Sequence, residues 1–242
     1  MNGYIKSFNT LEKLFTKAGE IEPYYAVLNA PQYISKNLTA ENLEEFYQSG
    51  KASAKAAVDL LHSVGFSAFG NALDFGCGAG RVTLALGDYF DQVAGCDISS
   101  SMLKTAYKRV VETKKTNINL YKSHMDLLLL FRSGSFDFIY TYLVLQHMIP
   151  PLMQSYIKQF CHLLKPGGYA LFQLPTHKEG YCFDDNMLDF SISYEAVQLH
   201  ALSVKSVLNV INTNGCRLAD FFPANCVAEG WESYAFLVRK DP

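Results

Sequence analysis

The chain has 242 residues, is 49% hydrophobic, carries a formal net charge of −2 and has a pI near 6.3. That is enough for one α/β domain with a large core and a small cap. It gives no broad electrostatic grip on a phosphate backbone, so nucleic acid is not expected as a partner. No signal-peptide pattern opens the chain, and the apolar run 127–131 is far too short to cross a bilayer. The six cysteines, at 77, 96, 161, 182, 216 and 226, show no Cys-x-x-Cys spacing. Reduced thiols in a cytoplasmic protein are therefore expected, without a metal site.

Residues 1–65 read as helical pieces, punctuated by Gly19, Pro23, Pro31 and Gly50, and are expected to form an amino-terminal cap. The clearest piece places Ala54, Ala57, Val58, Leu61 and Val64 on one stripe suited to a sheet face. The remainder, 66–242, alternates strand and helix. Strands are predicted over 72–75, 92–97, 117–121, 136–142 and 169–174. Helical stripes fall between them at Val82, Ala85, Leu86 and Tyr89, at Met102, Ala106 and Val110, and at Met153, Ile157, Phe160 and Leu164. A further helix carries Ala201, Val204, Leu208 and Ile211. This alternation predicts a parallel sheet covered on both faces. Segments 216–222 and 233–239 follow one another with no helix between them, which predicts antiparallel neighbours.

The most informative segment is Ala72-Leu73-Asp74-Phe75-Gly76-Cys77-Gly78-Ala79-Gly80-Arg81. An apolar strand runs into an acid, then into three glycines spaced two apart, then into a helix. Glycine is needed where backbone must approach a ligand closely or adopt positive φ, and the carboxyl end of such a strand is where open α/β sheets bind nucleotides. Asp97 ends the next apolar run, 19 residues beyond Gly78, where a carboxylate can accept both hydroxyls of a ribose. Ser99, Ser100 or Ser101 can cap the helix that follows. A dinucleotide fingerprint would space its glycines Gly-x-Gly-x-x-Gly, and a Walker loop would carry Gly-Lys-Ser/Thr; neither occurs here.

These residues resemble motif I of the class I S-adenosylmethionine-dependent methyltransferases. Phe136 to Tyr142 is similar to that family's fourth-strand motif. Leu163-Leu164-Lys165-Pro166-Gly167-Gly168-Tyr169 is similar to its helix-turn-strand step. The resemblance covers 71–175, with weaker support to 240. It implies a Rossmann-like seven-stranded, mostly parallel sheet with a reversed last strand, and S-adenosylmethionine as cofactor. The residues it implies for cofactor binding are Asp74, Gly76, Cys77, Gly78, Gly80, Arg81, Asp97, Ile98 and Met102, then Met125 and Asp126 at the adenine, then Thr141 and Tyr142. Asp74 can equally cap its own turn, Arg81 can equally be a solvated charge, and Asp126 a plain loop carboxylate.

Methyl transfer from a sulfonium needs alignment and exclusion of water more than catalytic groups. His147, after the fourth strand, is the candidate base; packing in its loop is the alternative. Asp137 is expected to serve the fold. An aromatic-rich insert, 176–200, holds Tyr181, Phe183, Phe190 and Tyr194 among Asp184, Asp185 and Asp189. Phe221, Phe222 and Trp231 flank the last hairpin, and Tyr24, Tyr25, Phe46 and Tyr47 come from the cap. Such a wall suits a small organic acceptor methylated on O or N, although it could also seal a lid or join two copies in a homodimer. Phe46 to Gly50 resembles the family's segment that closes over the cofactor. The competing reading is a catalytically silent S-adenosylmethionine-binding regulator or scaffold.

Overall fold

The structure, a computed structural model, describes residues 2–184 and 197–242. Phe190, Tyr194, Asp185 and Asp189 of the aromatic insert lie outside the described residues. The strands form one seven-stranded sheet in the order β3-β2-β1-β4-β5-β7-β6. The chain divides into two compact units, Met1–Leu11 with Met125–Pro242, and Glu12–His124.

In the unit Glu12–His124, β1 (Asn71–Phe75), β2 (Gln92–Asp97) and β3 (Ile118–Lys122) run parallel, with Leu73 beside Ala94 and Ala94 beside Asn119. Helix α2 (Ala40–Ser63) starts at a reciprocal cap, Asn42 N–H donating to Thr39 Oγ1 and Thr39 N–H to Asn42 Oδ1. Its buried stripe is Ala54, Ala57, Val58 and Leu61, as its spacing predicts, while Val64, expected on the same stripe, lies past the helix end and is half-buried. Helix α3 covers only Arg81–Leu86 and α4 covers Ser100–Glu112. Tyr89, expected on the α3 stripe, falls outside the helix and is exposed. Asn117 Nδ2 takes the carbonyls of Gly87 and Phe90, which holds the chain in a turn there.

The expected breaks at Gly19 and Gly50 do not occur. Helix α1 runs Asn2–Ile21 and α2 runs straight through Gly50. Both glycines mark close approach instead. A Cβ on Gly50 would sit 2.0 Å from the Arg81 carbonyl oxygen, and one on Gly19 would sit 2.5 Å from Ser101 Oγ. A glycine inside a helix costs about 1 kcal/mol against alanine, which the contact with the neighbouring helix offsets.

In the other unit, β4 (Phe136–Thr141) pairs parallel with β5 (Leu164–Lys178), and β7 (Trp231–Lys240) runs antiparallel to both β5 and β6 (Cys216–Pro223). Strand β5 is longer than the predicted 169–174. Helix α5 (Pro150–Leu163) stops before Lys-Pro-Gly-Gly, and those residues bulge within β5, so that Phe136 pairs with Leu164 and Phe138 with Tyr169. Asp137 is buried in an ion pair with Lys165 Nζ at 2.7 Å, a fold-supporting contact. Helix α6 (Val204–Thr213) begins later than predicted because Ser203 caps it. All six cysteines are free thiols. Among the described residues no helix is long and apolar enough to cross a membrane.

Candidate active site

The glycine turn departs from β1 with Gly76, Gly78 and Gly80 all at positive φ (77°, 51° and 81°). Gly76 N–H and Cys77 N–H both donate to the Cys96 carbonyl at the end of β2, which locks the turn against the neighbouring strand. A Cβ on Gly78 would come within 2.9 Å of Val27 Cγ2, so only glycine fits under that side chain.

Asp97 lies beside this turn, 7% exposed. Its Oδ2 accepts from Gly78 N–H and its Oδ1 from Ser99 N–H, both at 2.7 Å. Burial pushes this carboxyl up to about 6, against the pull of those two donors. Asp74, 3% exposed, does not cap its own turn: Oδ2 accepts from Thr83 Oγ1 of α3 at 2.6 Å. It too is pushed up to about 6 by burial, opposed by Thr83 and the Arg81 guanidinium and reinforced by Asp97. Two desolvated carboxyls thus stand close to one another at the ends of β1 and β2. The Cys77 thiol, buried beside both, is held protonated.

Arg81 Nη1 donates to Ser49 Oγ (3.2 Å) and Ser53 Oγ (3.1 Å) of α2, so the guanidinium is fixed rather than trailing in solvent. Ser99 caps α4 through Met102 N–H, burying Met102, while Ile98 remains half-buried. Ser99 Oγ and Ser101 Oγ also donate to the carbonyls of Phe15 and Thr16, tying α1 to the start of α4. Phe46, expected in an acceptor wall, is wholly buried against Tyr24 and Tyr33 and belongs to the core.

The remaining predicted residues fall in the other unit. Gln159 clamps the segment after β3, its Nε2 donating to Met125 O and its Oε1 accepting from Leu127 N–H. Asp126 is exposed, and its Oδ1 accepts from Leu128 N–H in the short turn it caps. Thr141 ends β4 at 1% exposure, and among the described residues its Oγ1 has no hydrogen-bond partner. Tyr142 stacks on Tyr140 and is pushed up to about 12 by burial. Leu143 then adopts φ 64°, a left-handed conformation that costs a leucine about 1–2 kcal/mol. Its N–H donates to the buried Gln173 Oε1, which stabilises the bend. Gln173 Nε2 donates to Ser233 Oγ (2.6 Å) and Gln146 Oε1 (3.4 Å), and Gln146 Nε2 meets His147 Nε2 at 3.3 Å.

His147 keeps part of its surface in solvent, but its Nδ1 is buried. Burial pulls the imidazole down to about 4, opposed by a hydrogen bond to the Gln198 backbone and reinforced by His200.

Thr83, Ser53, Gln173 and His200 escaped sequence reasoning, while Ser49 and Gln146 lay in segments it named without a role of their own. Only Thr83 carried a signal, a polar residue between Val82 and Leu84 in an otherwise apolar helical segment.

A family model described as "Methyltransferase domain" matches residues 72–168. Residues 72–168 thus resemble a methyltransferase domain, in a chain whose sheet has the same fold as solved methyltransferases. The resemblance read from the glycine turn, the fourth strand and the Pro-Gly-Gly step therefore holds. The chain is 30% identical over 100 residues (41% of this chain, 39% of the relative) to a ubiquinone biosynthesis O-methyltransferase of Albidiferax ferrireducens. It is 29% identical over 140 residues (57% of this chain, 50% of the relative) to a trans-aconitate 2-methyltransferase of Deinococcus radiodurans. The chain thus spans between two-fifths and half of these curated relatives. Magnesium protoporphyrin IX methyltransferase of Synechocystis PCC 6803, solved with bound S-adenosylhomocysteine (SAH), shares the fold at a TM-score of 0.67 and 14% identity. That match covers 96% of this chain and 99% of the other.

Proposed function

We propose that the protein is an S-adenosylmethionine-dependent methyltransferase acting on an O or N atom of a small organic molecule. The observation that carries this reading is the pairing of Asp97 with the glycine turn at the carboxyl ends of β2 and β1. Each Asp97 oxygen accepts one backbone N–H, which leaves lone pairs for the two hydroxyls of a ribose. The backbone from Gly76 to Gly80 offers the close approach that an amino-acid end of a ligand requires. Two buried carboxyls beside one another favour a ligand with positive charge.

In this reading Asp74, Gly76, Cys77, Gly78, Gly80, Arg81, Asp97, Ile98 and Met102 hold the cofactor, joined by Met125 and Asp126 at the adenine and by Thr141 and Tyr142. When bound, S-adenosylmethionine supplies a methyl group activated on a sulfonium. The chain's own task is to orient an acceptor and keep water away. Residues 1–65 act as the cap, and His147 is the candidate base, with packing in its loop as the alternative role. The balanced charge supports a small acceptor over nucleic acid, and a cytoplasmic protein is consistent with the free thiols. Calorimetric titration with S-adenosylmethionine and SAH, followed by a labelled-methyl screen over small-molecule pools, tests the assignment. One-site binding with label transfer is expected; binding without transfer to any acceptor leaves a silent cofactor-binding protein.

A further inference from the structure

Ahead of β4, the run Leu127-Leu128-Leu129-Leu130-Phe131 opens as a 3-10 turn over Leu127–Leu129. Leu127 is wholly buried, whereas Leu128, Leu129 and Leu130 are 41%, 70% and 37% exposed. Apolar side chains scattered singly over a surface need no explanation, but three in a row on one turn do.

The turn is rigidly held. Gln159 Oε1 accepts from Leu127 N–H at 2.6 Å, and Phe131 meets Phe136 edge-on at 5.1 Å. Every backbone donor of the run is already paired. Leu128 N–H donates to Asp126 Oδ1, Leu129 N–H to Asp126 O, and the N–H groups of Leu130 and Phe131 to Leu127 O. Such a turn can lose its water without orphaning an N–H group, which is the condition for entering an apolar medium.

Two cations flank the leucines. Arg132 follows Phe131, and Lys158 precedes the clamping Gln159 on α5; both are exposed. Neither takes part in an ion pair among the described residues. Against them stands Asp126 at the root of the turn, with its Oδ1 engaged by Leu128 N–H. The local balance is therefore cationic.

We propose that this leucine turn docks the protein on the surface of an anionic phospholipid bilayer. The three side chains enter the boundary between headgroups and acyl chains, while Arg132 and Lys158 stay at the level of the phosphates. A run far too short to cross a bilayer is long enough to rest in one face of it. A protein partner fits the patch less well. Three partly exposed leucines offer a few hundred Å2 at most, against roughly 800 Å2 that each member of a stable pair contributes. A bilayer needs no complementary groove, and attachment through so few groups is weak and reversible. Leu128, Leu129 and Leu130 are none of the proposed cofactor contacts, so attachment stands or falls independently of them.

Co-sedimentation of the full chain with sucrose-loaded vesicles tests this. The vesicles are phosphatidylcholine alone, or phosphatidylcholine with one-third phosphatidylglycerol. Wild type should pellet with the anionic vesicles and stay largely in solution with the neutral ones. Leu129→Ser weakens the partition about tenfold. Arg132→Glu does so by a similar factor, about tenfold, that shrinks at high salt. Leu129→Trp keeps the partition and gains a blue-shifted emission component on anionic vesicles. Val111→Ser, the same loss at a 57% exposed apolar position of α4, leaves binding unchanged. Absent binding of wild type, equal binding to neutral vesicles, full binding by Leu129→Ser or unshifted emission from Leu129→Trp overturns the proposal. Loss of binding in Val111→Ser also overturns it, because the contact then belongs to α4. A wild-type dimer in sedimentation velocity that Leu129→Ser dissociates, with no vesicle binding, gives the patch to a second copy instead.

Discussion

The two units solve the problem of buried polar groups in opposite ways. In the unit Glu12–His124, two carboxyls are buried against backbone N–H groups and one threonine hydroxyl, and both are held up near 6. In the other unit, amides and imidazoles form a relay through Ser233, Gln173, Gln146 and His147, with Tyr181 and His200 beside it, and the two imidazoles are held down near 4. The first arrangement keeps two carboxyls in a desolvated setting that raises both. The second is neutral and already satisfied through most of its length. One region concentrates raised carboxyls at strand ends, and the other braces its imidazoles with amides.

The largest expected effect strikes the first region alone. Gly50→Val places a side chain against the Arg81 carbonyl, where even a Cβ has only 2.0 Å, so α2 must separate from α3. A loss of roughly 3 kcal/mol in urea unfolding is expected; a change within 0.5 kcal/mol means that α2 is not seated on that carbonyl.

Titration sharpens the contrast next. Asp74 and Asp97 are raised from 3.8 to about 6, so the native protein binds their protons more tightly than the unfolded chain. Their stability is complete below pH 3.8 and is lost as pH rises through 6. His147 and His200 are lowered from 6.5 to about 4, so theirs is complete above pH 6.5 and is lost as pH falls through 4. The two slopes oppose each other over the same window, and wild-type stability is expected to be nearly flat between pH 4 and 6.5. Asp97→Asn should leave stability rising with pH across that window by about 2 kcal/mol, and His200→Asn should leave it falling by a similar amount. Thermal melts across the range check both signs; parallel slopes in the two variants contradict the opposition.

The smallest effect separates backbone strain from the site itself. Lys114, exposed beyond the end of α4, has φ 56°. Lys114→Gly should raise stability by up to about 1 kcal/mol without touching ligand affinity.

The first region was the more legible in the sequence. Three glycines and two strand-end acids are local backbone requirements, so a short window displays them, and the sheet followed from strand-helix alternation. The helical glycines misled because a break and a close contact call for the same residue. The partner that decides between them, Arg81 for Gly50, is set by tertiary packing. The second region is assembled from positions 143, 146, 147, 173, 181, 200 and 233, which no window contains. His200 looks ordinary in sequence; only its pinning by Gln146 and its bond to Tyr181 set it apart. His147 stood out for its place in a motif, yet its Nδ1 is turned into the protein.

The central claim, that Asp97 and the glycine turn grip an adenosyl ligand, is tested most directly by calorimetric titration of wild type and Asp97→Ala with SAH at pH 7.5. One equivalent should bind to wild type, and the variant should bind about 10- to 100-fold more weakly through loss of charge-assisted bonds to the ribose. Equal affinity in the two proteins, or no binding to wild type at saturating SAH, would contradict it.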